Sequence, residues 1–78
     1  MLHIGSGYIV PEGQVVMICA LDSVDARAYL ARMDKRARLV RIDEGDKSLI
    51  VCAGRWNETC YLSPIAARTL VKRFTGAR

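Results

Sequence analysis

Hydrophobic positions fall mostly into short continuous runs. Residues 2–4 and 8–10 are brief extended pieces around Gly5-Ser6-Gly7, and Pro11-Glu12-Gly13 turns the chain after them. Residues 15–21, VVMICAL, form an apolar run of strand length rich in β-branched side chains. That is the pattern of a strand buried on both faces. Helical spacing follows. Asp22 or Ser23 can accept the free N–H groups of a first turn. Ala26, Leu30, Met33 and Ala37 then fall on one stripe, so the helix is expected to reach about residue 37. Val24, Ala28 and Ala31 make a second, smaller-residue stripe that would let another backbone approach closely.

The second half reads as strands and a final helix. Residues 39–42 and 48–53 (SLIVCA) are strands, and the acidic DEGDK between them, with Gly45 at its tip, predicts a β-hairpin. GRWNE at 54–58 is another turn, and 59–62 a last strand. Ser63 is placed to cap a helix with Pro64 at its first position, where the missing N–H costs nothing. That helix runs to about residue 74, and Gly76 lies just past its end. The expected fold is α+β: a small antiparallel sheet with two helices packed on one face. The central strands, apolar on both sides, would leave the other face or an edge needing cover. A neighbouring subunit is the simplest source of it.

Composition sharpens this expectation. A chain of 78 residues is one domain, spanning 1–78, with room for one core. Such a domain buries only about 60–65% of its unfolded surface, so its stability as a lone monomer is modest. Yet 51% of its residues are hydrophobic and the mean hydropathy is +0.12, high for a chain that must also cover its core. The sequence therefore points to a homo-oligomer, with Val24, Ala28, Ala31 and Trp56 as candidate interface residues. Trp56, the only tryptophan, suits either an interface anchor or a ring folded back over the edge of the core.

Candidate chemistry is sparse. Cys19, Cys52 and Cys60 are odd in number, each lies in an apolar run, and no CxxC pair exists. This argues against a disulfide framework and against zinc, and favours a reducing, cytoplasmic compartment. His3 has no Ser or Cys nucleophile at a recognisable spacing. Gly5-Ser6-Gly7 lacks the spacing of a phosphate loop. Asp43, Glu44 and Asp46 lack the spacing and distal Glu of a calcium loop. No apolar run approaches the roughly 18 residues of a membrane span, and the first ten residues lack the pattern of a signal peptide. No enzyme activity, cofactor, metal, membrane or small-molecule substrate is expected.

Charge carries the clearest signal. Net charge is +4 and the pI about 9.3. Six basic side chains (Arg27, Arg32, Lys35, Arg36, Arg38, Arg41) face one acid, Asp34, between 27 and 41, and residues 63–78 hold Arg68, Lys72, Arg73 and Arg78 with no acid. Arg68 and Lys72, four apart, share a helix face. Lys72 and Arg73 also suit the negative end of a helix dipole. A polyanion such as double-stranded DNA and an acidic protein surface both fit these charges.

Residues 2–5 (LHIG), the 15–21 run, 47–51 (KSLIV) and above all 61–65 (YLSPI), followed by Thr69-Leu70 and Lys72-Arg73, occur together in this order. In this the chain resembles the RemA/RemB family of bacterial extracellular-matrix regulators, closest to the RemB branch. The resemblance implies a small α+β subunit that assembles into a ring-like homo-oligomer. It implies DNA binding and transcriptional control of matrix or biofilm genes, without catalysis. A ring would repeat each weak basic patch many times and gain avidity. RemA-type members carry consecutive arginines in the loop before the IV strand, and these contact DNA. Here that loop is Asp43-Glu44-Gly45-Asp46-Lys47, and Gln14 stands where those members have another arginine. DNA contact would therefore fall to other cations: Arg41, Lys47, Arg55, Arg68, Lys72 and Arg73. A ring that binds a protein partner as a scaffold is the alternative.

Overall fold

The structure, a computed structural model, describes residues 1–33, 37–55 and 57–76. Strands β1 (Leu2–Gly5) and β2 (Tyr8–Val10) form an antiparallel hairpin. Ser6 and Gly7 link them, both at positive φ (47° and 81°). Two such residues give the turn whose twist matches that of hairpin strands. After a single 3-10 turn at Glu12–Gln14 come β3 (Val15–Ala20), α1 (Val24–Arg32), β4 (Arg38–Arg41), β5 (Ser48–Ala53), β6 (Glu58–Ser63) and α2 (Ala67–Phe74). None of the described helices is long and apolar enough to cross a membrane.

Strands β3, β5, β6 and β4 lie side by side in that order. The β4–β5 hairpin expected from the sequence does not form. Strand β4 pairs with β6, in parallel, and β6 separates it from β5, so the sheet is mixed. Position follows composition. SLIVCA is apolar on both faces and takes a central place between β3 and β6, with five of its six residues buried. RLVR has an arginine at each end and sits at an edge, where both can reach water. The acidic link thus skips a strand rather than turning back on its neighbour.

The helices lie on opposite faces, not on one. Leu49 and Val51, with Cys60 and Leu62, pack against Ala26, Tyr29, Leu30 and Met33 of the α1 side. Ile50 and Cys52 point the other way, into a cluster with Leu2, Ile4 and Val10 of the β1–β2 hairpin and Leu70 of α2. The N-terminal hairpin and α2 together cover the face for which the sequence pattern calls for a second subunit. The alternation of one strand, β5, divides the core into these two clusters.

Helix α1 starts as predicted: Ser23 Oγ accepts a hydrogen bond from Ala26 N (3.1 Å) and donates one to Ala20 O (2.6 Å). It ends at Arg32, five residues short of expectation, because Met33 turns to ψ 130°. Met33 still packs on the core, and Ala37 is half-buried outside the helix. Strand β3 is an edge strand and only half-buried, with Val16 bulged out of register and 61% exposed.

Ser63 does not cap α2, which begins three residues beyond Pro64 at Ala67. Its hydroxyl is occupied otherwise. Fully buried, it donates to Ile4 O (2.7 Å) and accepts from Ile65 N (3.0 Å). Ser48, its cross-strand partner and also fully buried, donates to Ile65 O (2.7 Å). Gly5 stands at φ +117°, and a Cβ there would lie 3.3 Å from Pro64 Cδ. The LHIG and YLSPI stretches therefore meet in one junction that docks β1 on the sheet and sets the entry into α2.

The thiols make stability sensitive to alkali. Burial pushes Cys19, Cys52 and Cys60 above the ordinary thiol range. Burial, then the contacts with Cys60 and Glu58, push the Tyr29 phenol up as well. The Tyr29 hydroxyl donates to Glu58 Oε1 at 2.7 Å and lies 3.3 Å from Cys60 Sγ. The unfolded chain releases thiol protons above about pH 8.5 and phenol protons above about pH 10, while the folded state holds them. More protons bound in the folded state means that stability is complete below about pH 8.5 and declines as pH rises. Urea midpoints should accordingly be level from pH 7 to 8 and fall by pH 9.5. A midpoint that climbs with pH would contradict this.

Candidate nucleic-acid interface

The 43–47 link is built to stay in place. Ile42 N donates to Leu62 O (3.1 Å), Lys47 N to Ser63 O (2.8 Å) and Leu21 N to Lys47 O (3.0 Å), so the link arches over the end of β6 and is tied to the end of β3. Gly45 turns it at φ +78°. Asp43 braces it twice, Oδ1 accepting from Glu44 N (2.8 Å) and Oδ2 from Ser6 Oγ (3.1 Å). Asp46 Oδ2 lies 3.0 Å from Arg41 Nε at the end of β4.

Three cations converge on this link. Arg41 is paired with Asp46, and Lys47 and Arg27 line an open depression of about 470 Å³ together with Leu21, Asp22 and Asp46. Arg27 enters because α1 begins four residues after β3 ends, at the end of the sheet where Ala20 pairs with Ser48. The sequence marks Arg27 as one of its basic side chains but does not place it here. Only the strand order does so, by bringing the start of α1 beside the start of β5. The cationic group therefore contains two of the six predicted residues, Arg41 and Lys47, and one new one.

The other four lie elsewhere. Arg55 follows β5, at the opposite end of a six-residue strand from Lys47, a separation of about 20 Å at 3.3 Å per residue. Arg68 and Lys72 are on α2, whose buried residue is Leu70, and Lys72 is exposed. Arg73 reaches back, its Nη1 donating to His3 O at 3.2 Å, and so holds α2 to β1.

The candidate interface residues also separate. Val24 is 79% exposed, and Ala28 and Ala31 are exposed beside it on α1. Trp56 lies outside the described residues. An apolar groove not foreseen runs along the free edge of the sheet, lined by Val15, Val16, Met17, Ile18, Val71 and Phe74. Its sequence signal is the doubly apolar β3, whose pattern predicts full burial. Among the described residues, no group of three His, Cys, Asp or Glu is placed to hold a metal ion.

Fold and site define a small mixed-sheet α+β domain with a cationic end and apolar surface to spare. Residues 1–74 match the family model of RemA-like proteins, described as extracellular matrix regulatory protein A-like. The chain belongs to this family of extracellular matrix regulatory proteins. No curated protein and no solved structure was found to match it.

Proposed function

We propose that the protein is a non-enzymatic DNA-binding regulator of transcription, acting on matrix or biofilm genes in the cytoplasm as a ring-like homo-oligomer. The observation that carries this reading is the convergence of Arg27, Arg41 and Lys47 on one end of the sheet, in a chain of the RemA-like family. Within that family we place the chain nearest the RemB branch. The cations sit on a link, a strand end and a helix flank, so they are arranged for phosphates rather than for base edges in the major groove. Self-association rests on the exposed groove of β3 and α2 and on Val24, Ala28 and Ala31. It does not rest on an uncovered sheet face.

The pairing of Arg41 with Asp46 favours one other reading: an oligomeric scaffold that meets a protein partner and leaves DNA alone. Two measurements decide. Light scattering coupled to size exclusion should give a mass of several subunits at micromolar concentration. Fluorescence anisotropy should then show duplex binding at low salt that weakens steeply as salt is added and depends little on sequence. An intact oligomer that leaves a labelled duplex free at low salt would transfer the case to the scaffold, whose lysate partners should survive nuclease treatment.

A further inference from the structure

The acids of the 43–47 link are not equivalent. Asp43 is spent on Ser6 and on the amide of Glu44. Glu44 is exposed. Asp46 alone of the three contacts a candidate cation. Its side chain is 12% exposed, whereas that of Arg41, 3.0 Å away, is 67% exposed. The acid is thus the fixed member of the pair and the guanidinium the surface member. Asp46 also borders the depression lined by Arg27 and Lys47. Its second oxygen, Oδ1, is enclosed and meets no hydrogen-bond donor among the described residues. One carboxylate therefore binds one cation of the group and stands beside the other two.

We infer that Asp46 is a built-in competitor for phosphate that sets the affinity of this surface for DNA, by cancelling the charge of Arg41. This rests on the phosphate-contact reading above and deepens it. Only Nε of Arg41 meets the carboxylate and the side chain is 67% exposed, so donors remain for a phosphate contact while the carboxylate offsets the charge that would hold it. A phosphate must displace the carboxylate or accept a neutralised partner. The link thereby holds affinity low in each subunit, and tight binding requires several subunits on one duplex.

Asp46→Asn tests this. Asparagine keeps an acceptor for Arg41 Nε and removes the charge. The variant should bind a labelled duplex about 8-fold more tightly at 0.1 M salt for each subunit engaged, with a log–log salt slope steeper by about 0.9 per subunit. Glu44→Gln makes the same change of charge on the same link and should give less than half that gain. In an Arg41→Ala background the gain from Asp46→Asn should fall to that of Glu44→Gln, the remainder left by a general field effect on Arg27 and Lys47. Light scattering confirms that assembly is unchanged across the set. Equal gains from Asp46→Asn and Glu44→Gln, or a gain from Asp46→Asn that stays undiminished without Arg41, would overturn the inference and leave the DNA reading standing. So would unchanged binding by Asp46→Asn when the parent protein binds. If neither protein binds duplex at low salt, both the inference and the DNA reading fall. Binding by Asp46→Asn alone supports both.

Discussion

Replacing Leu70 with alanine is expected to destabilise the fold by about 2–5 kcal/mol, the range for truncating a fully buried leucine. Helix α2 has eight residues, about 12 Å of helix, too short to persist without tertiary packing. Its N-cap is Ala66, which offers no side-chain acceptor. What holds it is Leu70, fully buried against Leu2, Ile4, Val10, Ile50 and Cys52. A domain of this size has about 4–12 kcal/mol to lose at 0.05–0.15 kcal/mol per residue. The substitution therefore consumes a large share of the total. With a urea slope near 1 kcal/mol/M, the midpoint should drop by about 2 M or more. Val71→Ala, at a residue 42% exposed, should move it far less. Equal shifts from the two substitutions would mean that α2 does not dock through Leu70.

The same helix shows what can be read from the residues alone. Its span is legible at the C-terminal end, where Gly76 follows the last turn, but not at the start. Ser63-Pro64 has the chemistry of a helix N-terminus, yet Ser63 bonds to Ile4 O, 59 residues away in sequence. No local rule contains that partner. Strand identities are legible because they depend on short-range pattern. Strand order is not: a turn as short as 43–47 favours a hairpin by local logic, and the sheet instead places β6 between its flanking strands. The two-face burial of β5 is readable, but not which elements lie on each face. Part of the candidate site inherits this limit. Arg41 and Lys47 stand out as cations near the link, whereas Arg27 joins them only through the three-dimensional path of β3 into α1. The residues that carry the family resemblance prove to be junction residues. Gly5, Ser48, Ser63 and Pro64 hold β1, β5, β6 and the approach to α2 together, so the resemblance they carry speaks to fold before function.

The largest functional effect is expected from removing the cationic group entire. Arg27, Arg41 and Lys47 replaced together by alanine should weaken duplex binding by about 60-fold at 0.1 M salt if one subunit engages, because Asp46 already offsets Arg41 and two cations act in full, and abolish measurable binding if several do. The magnitude follows from counterion release, about 0.9 in log–log slope for each phosphate left without its cation. Stability should fall modestly: all three residues are exposed, but loss of Arg41 leaves the 12%-exposed Asp46 carboxylate without its partner. Arg68 and Lys72 lie on α2, apart from the group on the link. Replaced together by alanine, they should reduce affinity and flatten the slope by at most about 1.8 per subunit. The ratio of the two effects locates the DNA path. A dominant triple variant puts the duplex across the end of the sheet, where β3, β5 and the 43–47 link meet. A dominant α2 double variant would move it to the face formed by α2 and the N-terminal hairpin, and would remove Asp46 from any part in affinity. Arg55→Ala, about 20 Å from Lys47 along β5, serves as the distant cation in the same titration. An effect from it as large as from the triple variant would show that net charge, rather than any one surface, governs binding.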